Sequence, residues 1–329
     1  MTTTTLKTLS VATAVMLTVS SLGGLTGSAA APYGGARALS AVQRGTVTIE
    51  EPPVPLADRS STARYPSAPG TSTSGNSLVT IDSSNMGEGY VMIQYSGSAS
   101  KVKVQITKAG RTTYTYDLNT GGKFEVFPLT NGDGSYTINV YENVYSNQYA
   151  LGYGTTLEVT LNSSTLPFLY PSQYVNYNAQ SNTVKKGAEL AGSADSELAL
   201  VSKIYNYCIQ NITYDYNKAA TIKSGYLPVV DTILSTGTGI CFDYAAVMTA
   251  MLRSQNIPTQ LHVGYVSGGI YHAWINTYIT DVGWVNNIIY FDGKSWKMMD
   301  PTFASSGGQS SEIMAFIGNG TNYSVQYIY

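Results

Sequence analysis

The chain has 329 residues, more than a single hydrophobic core usually organises, so two domains with extensions are expected. Lys+Arg of 18 against Asp+Glu of 20 leave a formal charge of −2, which excludes a field strong enough to make nucleic acid or an anionic membrane surface the partner. Only 12% of residues are charged while Tyr (27) and Gly (32) are abundant, a composition common among exported proteins.

At the N-terminus Lys7 precedes an uncharged run from Leu9 to Leu22, most apolar between Val11 and Val19, that gives way to Gly27-Ser28-Ala29-Ala30-Ala31. This order of charge, apolar run and small residues predicts a secretory signal over residues 1–31, cleaved near Ala31. The run is too short, and too rich in Thr and Ser, to span a bilayer. The expected product is secreted and extracellular, with no membrane span. Residues 32–76 hold Pro52, Pro53, Pro55, Pro66, Pro69 and a Gly/Ser/Thr run, so they are expected to be a disordered linker.

From 77 to 163 the hydrophobic period is two. Val91, Ile93 and Tyr95 alternate with Tyr90, Met92 and Gln94; Val102, Val104 and Ile106 alternate with Lys101, Lys103 and Gln105. Tyr114 and Tyr116, Phe124 to Phe127, Tyr136 to Tyr141, Tyr149 to Tyr153 and Leu157 to Leu161 suggest further strands, with turn chemistry at Asn119-Thr120-Gly121-Gly122 and Asn131-Gly132-Asp133-Gly134. About seven short strands predict an all-β, immunoglobulin-like sandwich. It contains no His and no Cys, and nothing in it points to catalysis.

Beyond Pro167 and Pro171 a second domain, 164–329, begins with helical spacing. Leu198, Val201, Ile204, Tyr205, Cys208 and Ile209 form one stripe, predicting a helix from Asp195 to Gln210. A short helix or turn follows at Val229 to Leu234. Cys241, Ala245, Met248 and Leu252 then predict a helix from Cys241 to Ser254, stopped by Asn256-Ile257-Pro258. Alternation returns in Leu261, Val263, Tyr265 and in Ala273, Ile275, Thr277. A hairpin is expected around Asp292-Gly293, and a last strand at Tyr323 to Tyr329. Helices followed by an antiparallel meander make this half α+β.

Chemistry concentrates in three places. Cys241 sits where a Gly-rich loop becomes a helix, near unpaired N–H groups and the positive end of the dipole, a position that favours thiolate and offers a backbone donor to an oxyanion. His272 shares a strand face with Trp274 and Asn276 and could serve as base and then acid. Asp300, held extended by Pro301, could accept the other ring N–H and fix the tautomer.

Gly239-Ile240-Cys241-Phe242-Asp243-Tyr244-Ala245, Leu252-Arg253, Ile257-Pro258, Val263-Gly264-Tyr265, His272-Ala273-Trp274, Trp296 and Asp300-Pro301-Thr302 together resemble the transglutaminase-like core superfamily. The resemblance reaches upstream through Tyr214-Asp215 and leaves the β domain outside. It implies a papain-like core with Cys241 as nucleophile, His272 as base and Asp300 as orienting carboxylate. Members include protein crosslinkers, cysteine peptidases, amidases and inactive relatives. The family often adds a side chain to the oxyanion hole, for which this sequence offers Tyr214 or Tyr216.

Plainer readings stand beside these. Cys208 and Cys241 are the only intramolecular disulfide option, yet Cys208 on its apolar stripe reads as core. Cys208, Cys241, His262 and His272 are zinc-ligand types without a metal-site spacing. His262, Asp243 and Tyr244 read as structural, Trp274 and Trp296 as core aromatics, with Trp274 also a candidate cleft wall. The expected function is secreted, cysteine-dependent acyl transfer on peptide or glutamine amides through a thioester, with no metal or organic cofactor. The expected partner is a protein or peptide substrate, including cell-wall or surface proteins, and the chain is expected to be a monomer. The alternative is a non-catalytic surface or wall-binding protein on the same scaffold.

Overall fold

Strand alternation is realised first. The computed structural model describes residues 56–266, 268–280, 282–285, 289–291, 296–298 and 323–329, so the expected signal and the first part of the expected linker lie outside the described residues. Eight strands follow one another: β1 (Thr73–Gly75), β2 (Val79–Asp82), β3 (Tyr90–Tyr95), β4 (Val102–Lys108), β5 (Thr113–Leu118), β6 (Glu125–Pro128), β7 (Gly134–Tyr145) and β8 (Gln148–Val159). They form two four-stranded antiparallel sheets, ordered β1-β2-β3-β6 and β5-β4-β7-β8. Val79, Ile81, Val91, Ile93, Val104, Ile106, Tyr116 and Ile138 fill the space between them. On β5 the exposed Thr113, Thr115 and Asp117 alternate with buried Tyr114, Tyr116 and Leu118, as a half-buried strand requires.

Two details depart from the sequence reading. Tyr90 and Met92, on the outer face of β3, are also buried, because Leu166, Leu169 and Tyr170 pack over them. Tyr149 to Leu161, expected as two strands, contributes one long strand, β8. A register shift between Val140 and Tyr141 of β7 absorbs the change of phase along it.

The expectation of disorder through residue 76 needs correction over 56–76. This stretch carries β1 and is tied to distant parts of the chain: Leu56 N–H donates to Ala194 O, Arg59 pairs with Glu197 at 3.0 Å, and Tyr65 meets Tyr177 edge-on. Gln255 clasps it twice, accepting from Arg59 N–H at 2.9 Å and donating to Asp58 at 3.0 Å. Polar contacts across nearly 200 positions leave no hydrophobic period, which is why composition alone misjudges the segment.

The second half supplies α1 (Asn182–Ala191), α2 (Glu197–Asn211), β9 (Thr213–Tyr214), α3 (Tyr216–Thr221), α4 (Val230–Thr236), β10 (Thr238–Gly239) and α5 (Cys241–Ser254). Then come β11 (Thr259–Val266), β12 (Ile270–Ile279), β13 (Gly283–Val285), β14 (Ile289–Phe291), β15 (Trp296–Met298) and β16 (Tyr323–Ile328). Ser196 caps α2 by accepting from Ala199 N–H; Val201, Ile204, Tyr205, Cys208 and Ile209 of the expected stripe are buried, whereas Leu198 is only half-buried and Leu200 takes its place in the core. Helix α5 is buried on all sides from Asp243 to Ser254, which makes it the axis of this half. It ends where Asn256 turns left-handed and Ile257 N–H reaches back to Leu252 O at 3.1 Å.

The sheet beside α5 is ordered β13-β12-β11-β16, so the last strand crosses over to pair with β11, and the expected simple meander is corrected. Gly264 permits this: a Cβ there would lie 2.1 Å from Ser324 O. The β14–β15 hairpin pairs Phe291 with Trp296, so its connection has four residues, 292–295, instead of the expected two. Asp-Gly serves loops of either length. The two halves share a core, since Tyr329 packs against Tyr114 and Tyr116 of β5 and Thr130 donates to Ile328 O at 2.8 Å. Among the described residues no helix is long and apolar enough to cross a membrane.

Candidate active site

The N-terminus of α5 is assembled by a short parallel bridge. β9 and β10 pair Thr213 with Thr238 and Tyr214 with Gly239, and Asp215 N–H donates to Gly239 O at 2.9 Å. Gly239 also lies against the helix it precedes: a Cβ at this position would come within 2.7 Å of Asp243 Cβ. The glycine two residues before the cysteine is therefore a packing requirement. Ile240 is the extended N-cap and Cys241, part-buried, is the first helical residue. Being first-turn groups, the N–H groups of Cys241 and Phe242 have no acceptor inside the helix, so they can receive an oxyanion.

Asp243 completes the turn. Its carboxylate is fully buried and accepts Ile240 N–H at 2.9 Å, Lys218 Nζ at 2.6 Å and Tyr226 Oη–H at 2.7 Å. Lys218 Nζ also lies 2.6 Å from Tyr226 Oη, and Asp215 fixes its backbone by accepting Lys218 N–H. Burial works against the lysine charge, but the hydrogen bonds to Asp243 and Tyr226 outweigh it and its pKa is raised. The consequence concerns Cys241. The Asp243 carboxylate lies two residues from it in sequence, and Lys218 compensates that charge at 2.6 Å.

Both cysteines are free. Cys208 is sealed in the core, where burial pushes its thiol pKa up. Cys241 is the thiol with access to solvent.

His272 lies buried on β12 opposite Gly264 of β11. Its ring stacks toward Trp274 at 6.5 Å, and Trp274 in turn meets His262 at 5.7 Å and Tyr323 at 4.9 Å. Trp274 is thus the spine of one sheet face that also carries Asn276 and Gln260. His262 shares a hydrogen bond with Gln260 at 2.9 Å, and burial lowers its pKa to about 3, so it stays neutral. The opposite face of β12, with Ala273 and Ile275, belongs to the core around α5. Tyr271 precedes His272 and reaches Cys241 electrostatically. Burial, then Tyr327, Tyr265 and Tyr174, then Cys241, push its hydroxyl pKa up to about 12.

Of the residues singled out from sequence, Cys241 and Tyr214 are therefore brought to one end of α5, while His272 and Trp274 share a face of β12. Tyr216 is exposed and stands edge-on to the Tyr214 ring at 4.9 Å. Asp300 lies outside the described residues. Lys218, Tyr226, Tyr174 and Tyr271 were missed. The signal for the first two was Asp243 itself, since a carboxylate three residues into a buried helix needs a cation or donors.

Residues 185–301 match the family described as the transglutaminase-like superfamily. This segment is similar to the transglutaminase-like core. The match spans Cys241, His272 and Asp300 and omits the sandwich. Among solved structures, a candidate cysteine protease from Cytophaga hutchinsonii is similar at 17% identity, over 73% of this chain and 83% of that one, with a TM-score of 0.37. Red sea bream transglutaminase is similar at 11% identity and a TM-score of 0.29, over 71% of this chain and 54% of its own length. A search among curated proteins finds no match.

Proposed function

We propose that the protein is an exported, cysteine-dependent acyl-transfer enzyme acting on peptide or glutamine amides. The observation that carries this reading is a free, solvent-accessible Cys241 at the mouth of a buried helix whose nearest carboxylate is neutralised by Lys218. His272 takes the part of base, and Asp300 that of its orienting partner, from their places in the transglutaminase-like motif. For this, His272 must turn from the face of β12 that it shares with Trp274 toward the N-terminus of α5; the Cys241 thiol then gives its proton to His272 and its sulfur attacks the amide carbonyl carbon. The N–H groups of Cys241 and Phe242 hold the oxyanion. The C–N bond then breaks as His272 returns the proton to the departing amine, leaving a thioester. Water or an amine attacks this thioester, loses its proton to His272, and frees the thiol. Hydrolysis and crosslinking share every step but the last, so the nucleophile admitted to the cleft decides between them.

The test is alkylation by iodoacetamide across pH, followed by incubation with a peptide mixture and a biotinylated amine. Modification confined to Cys241, fast below pH 8 and slowed at least about tenfold in His272→Ala, is the expected outcome. Amine incorporation identifies a crosslinker, new amino termini a peptidase, ammonia alone a deamidase, with Cys241→Ala as control. An unreactive Cys241 in reduced, folded protein would sink the proposal.

A further inference from the structure

A groove of about 400 Å³ opens on the outer face of the β5-β4-β7-β8 sheet, with Gln105, Tyr141 and Tyr149 along it. A second cavity of about 210 Å³ shares Lys103 and Thr115 with the first and so adjoins it. Its far wall comes from the other half of the chain: Gln173, Tyr174 and the loop 224–227. That wall adjoins the nucleophile. Tyr174 packs on Phe242, the residue after Cys241, with centroids 5.5 Å apart. Tyr226, in the loop, lies 6.5 Å from the same ring and is hydrogen-bonded to Asp243.

We infer that this groove is a substrate subsite, that the sandwich supplies one wall of it, and that its occupant is a polar polypeptide segment in extended form. The inference rests on the reading of Cys241 given above. Lys103 and Asp117 pair at 2.5 Å, so the charges at its floor are compensated and a polyanion or polycation gains nothing there. Thr115, Ser224 and Gln173 bring hydroxyls and an amide that can both donate to and accept from peptide groups. Tyr141 and Tyr149 offer flat rings to side chains or peptide planes. The apolar lining is too sparse for a lipid chain. A chain lying in the groove would run from the sandwich toward Tyr174 and Phe242 and so present an amide to Cys241. The sandwich thereby acquires a role in choosing which amides are presented.

The probe is fluorescein-labelled β-casein, a largely unfolded polypeptide, held below its self-association concentration and titrated by anisotropy against the full chain carrying Cys241→Ala. Adding Thr115→Trp, which fills the groove from an exposed position, is expected to weaken binding at least about tenfold. Lys103→Ala, which opens the ion pair without adding bulk, should weaken it less. Thermal unfolding of each variant checks that the sandwich is intact. Casein that does not bind, or binds the Thr115→Trp chain as it binds the parent, overturns the inference. The iodoacetamide rate at Cys241 is measured separately in Thr115→Trp with the thiol present. An unchanged rate beside weakened casein binding supports the groove. Failure of the thiol to react in the parent condemns the enzyme reading instead.

Discussion

Asp243 shows how much one side chain settles near the thiol. Its carboxylate fixes the N-cap, receives Lys218 of α3 and Tyr226 of the following loop, 25 and 17 positions upstream, and abuts the glycine that begins the motif. His262 presents the opposite case, a titratable group kept uncharged. Its folded pKa is lowered to about 3 by burial, against about 6.5 in the unfolded chain. The unfolded state thus binds a proton that the folded state refuses between these values, and stability falls as pH drops through that window. From pH 7 to pH 5 the loss from this one group is about 2 kcal/mol. Urea unfolding at the two pH values should therefore show the parent losing about 2 kcal/mol more than His262→Gln. Equal losses in both would mean that the imidazole is reached by solvent in the folded protein.

At the scale of elements, α1 is held by a carboxylate from elsewhere in the chain. Asp231 of α4 accepts Asn182 N–H at 3.1 Å, Thr183 N–H at 2.9 Å and the Thr183 hydroxyl at 2.7 Å. Burial opposes its charge, but these donors, Thr183 foremost, prevail and lower its pKa. Its contribution is present above the unfolded carboxylate range and is lost as pH falls through the depressed folded value. Asp231→Ala should cost about 1–2 kcal/mol in urea unfolding at pH 7, the usual loss for a removed N-cap acceptor. A loss that vanished at neutral pH and appeared only in acid would contradict the sign of this linkage. The same helix shows why sequence reading succeeded unevenly. Helices α2 and α5 carry long stripes of large apolar residues and were legible almost to the residue. Helix α1 buries Thr183, Val184, Gly187 and Ala191, a face of small residues that lets it close on α5. That face repeats at helical spacing, but its residues are too small and too polar to stand out as an apolar stripe. Cys241 and His272 were singled out because local motifs mark them, whereas Lys218 and Tyr226 come to the N-terminus of α5 only through the fold.

The two halves are fastened by Arg253, whose guanidinium is buried without an Asp or Glu partner among the described residues. It donates to Thr259 O from Nε and Nη2 at 2.9 and 2.7 Å, to Tyr170 O at 2.6 Å and to Tyr329 O at 2.8 Å. Burial lowers its pKa to about 10, so the charge persists at neutral pH and is spread over carbonyl dipoles. Those carbonyls belong to three places: the segment covering the outer face of the sandwich, the start of β11, and the residue after β16. Tyr329 then packs against Tyr114 and Tyr116 of β5. The sandwich and the second half of the chain therefore meet through one tyrosine cluster whose geometry Arg253 holds. Arg253→Met removes the charge but strands these carbonyls in a dry interior, a loss of about 3 kcal/mol or more. Cooperativity is the sharper expectation. Exposure of the buried Cys208 to a thiol reagent in urea reports on the second half, and hydrogen-exchange protection of the β4 and β7 amides across the same urea series reports on the sandwich sheet. In the parent the two midpoints should coincide. In Arg253→Met both should move to lower urea, with Cys208 becoming reactive before the sheet signal is lost, because the joint then yields ahead of the sandwich core. Coincident midpoints in the variant would locate the coupling in the tyrosine cluster alone.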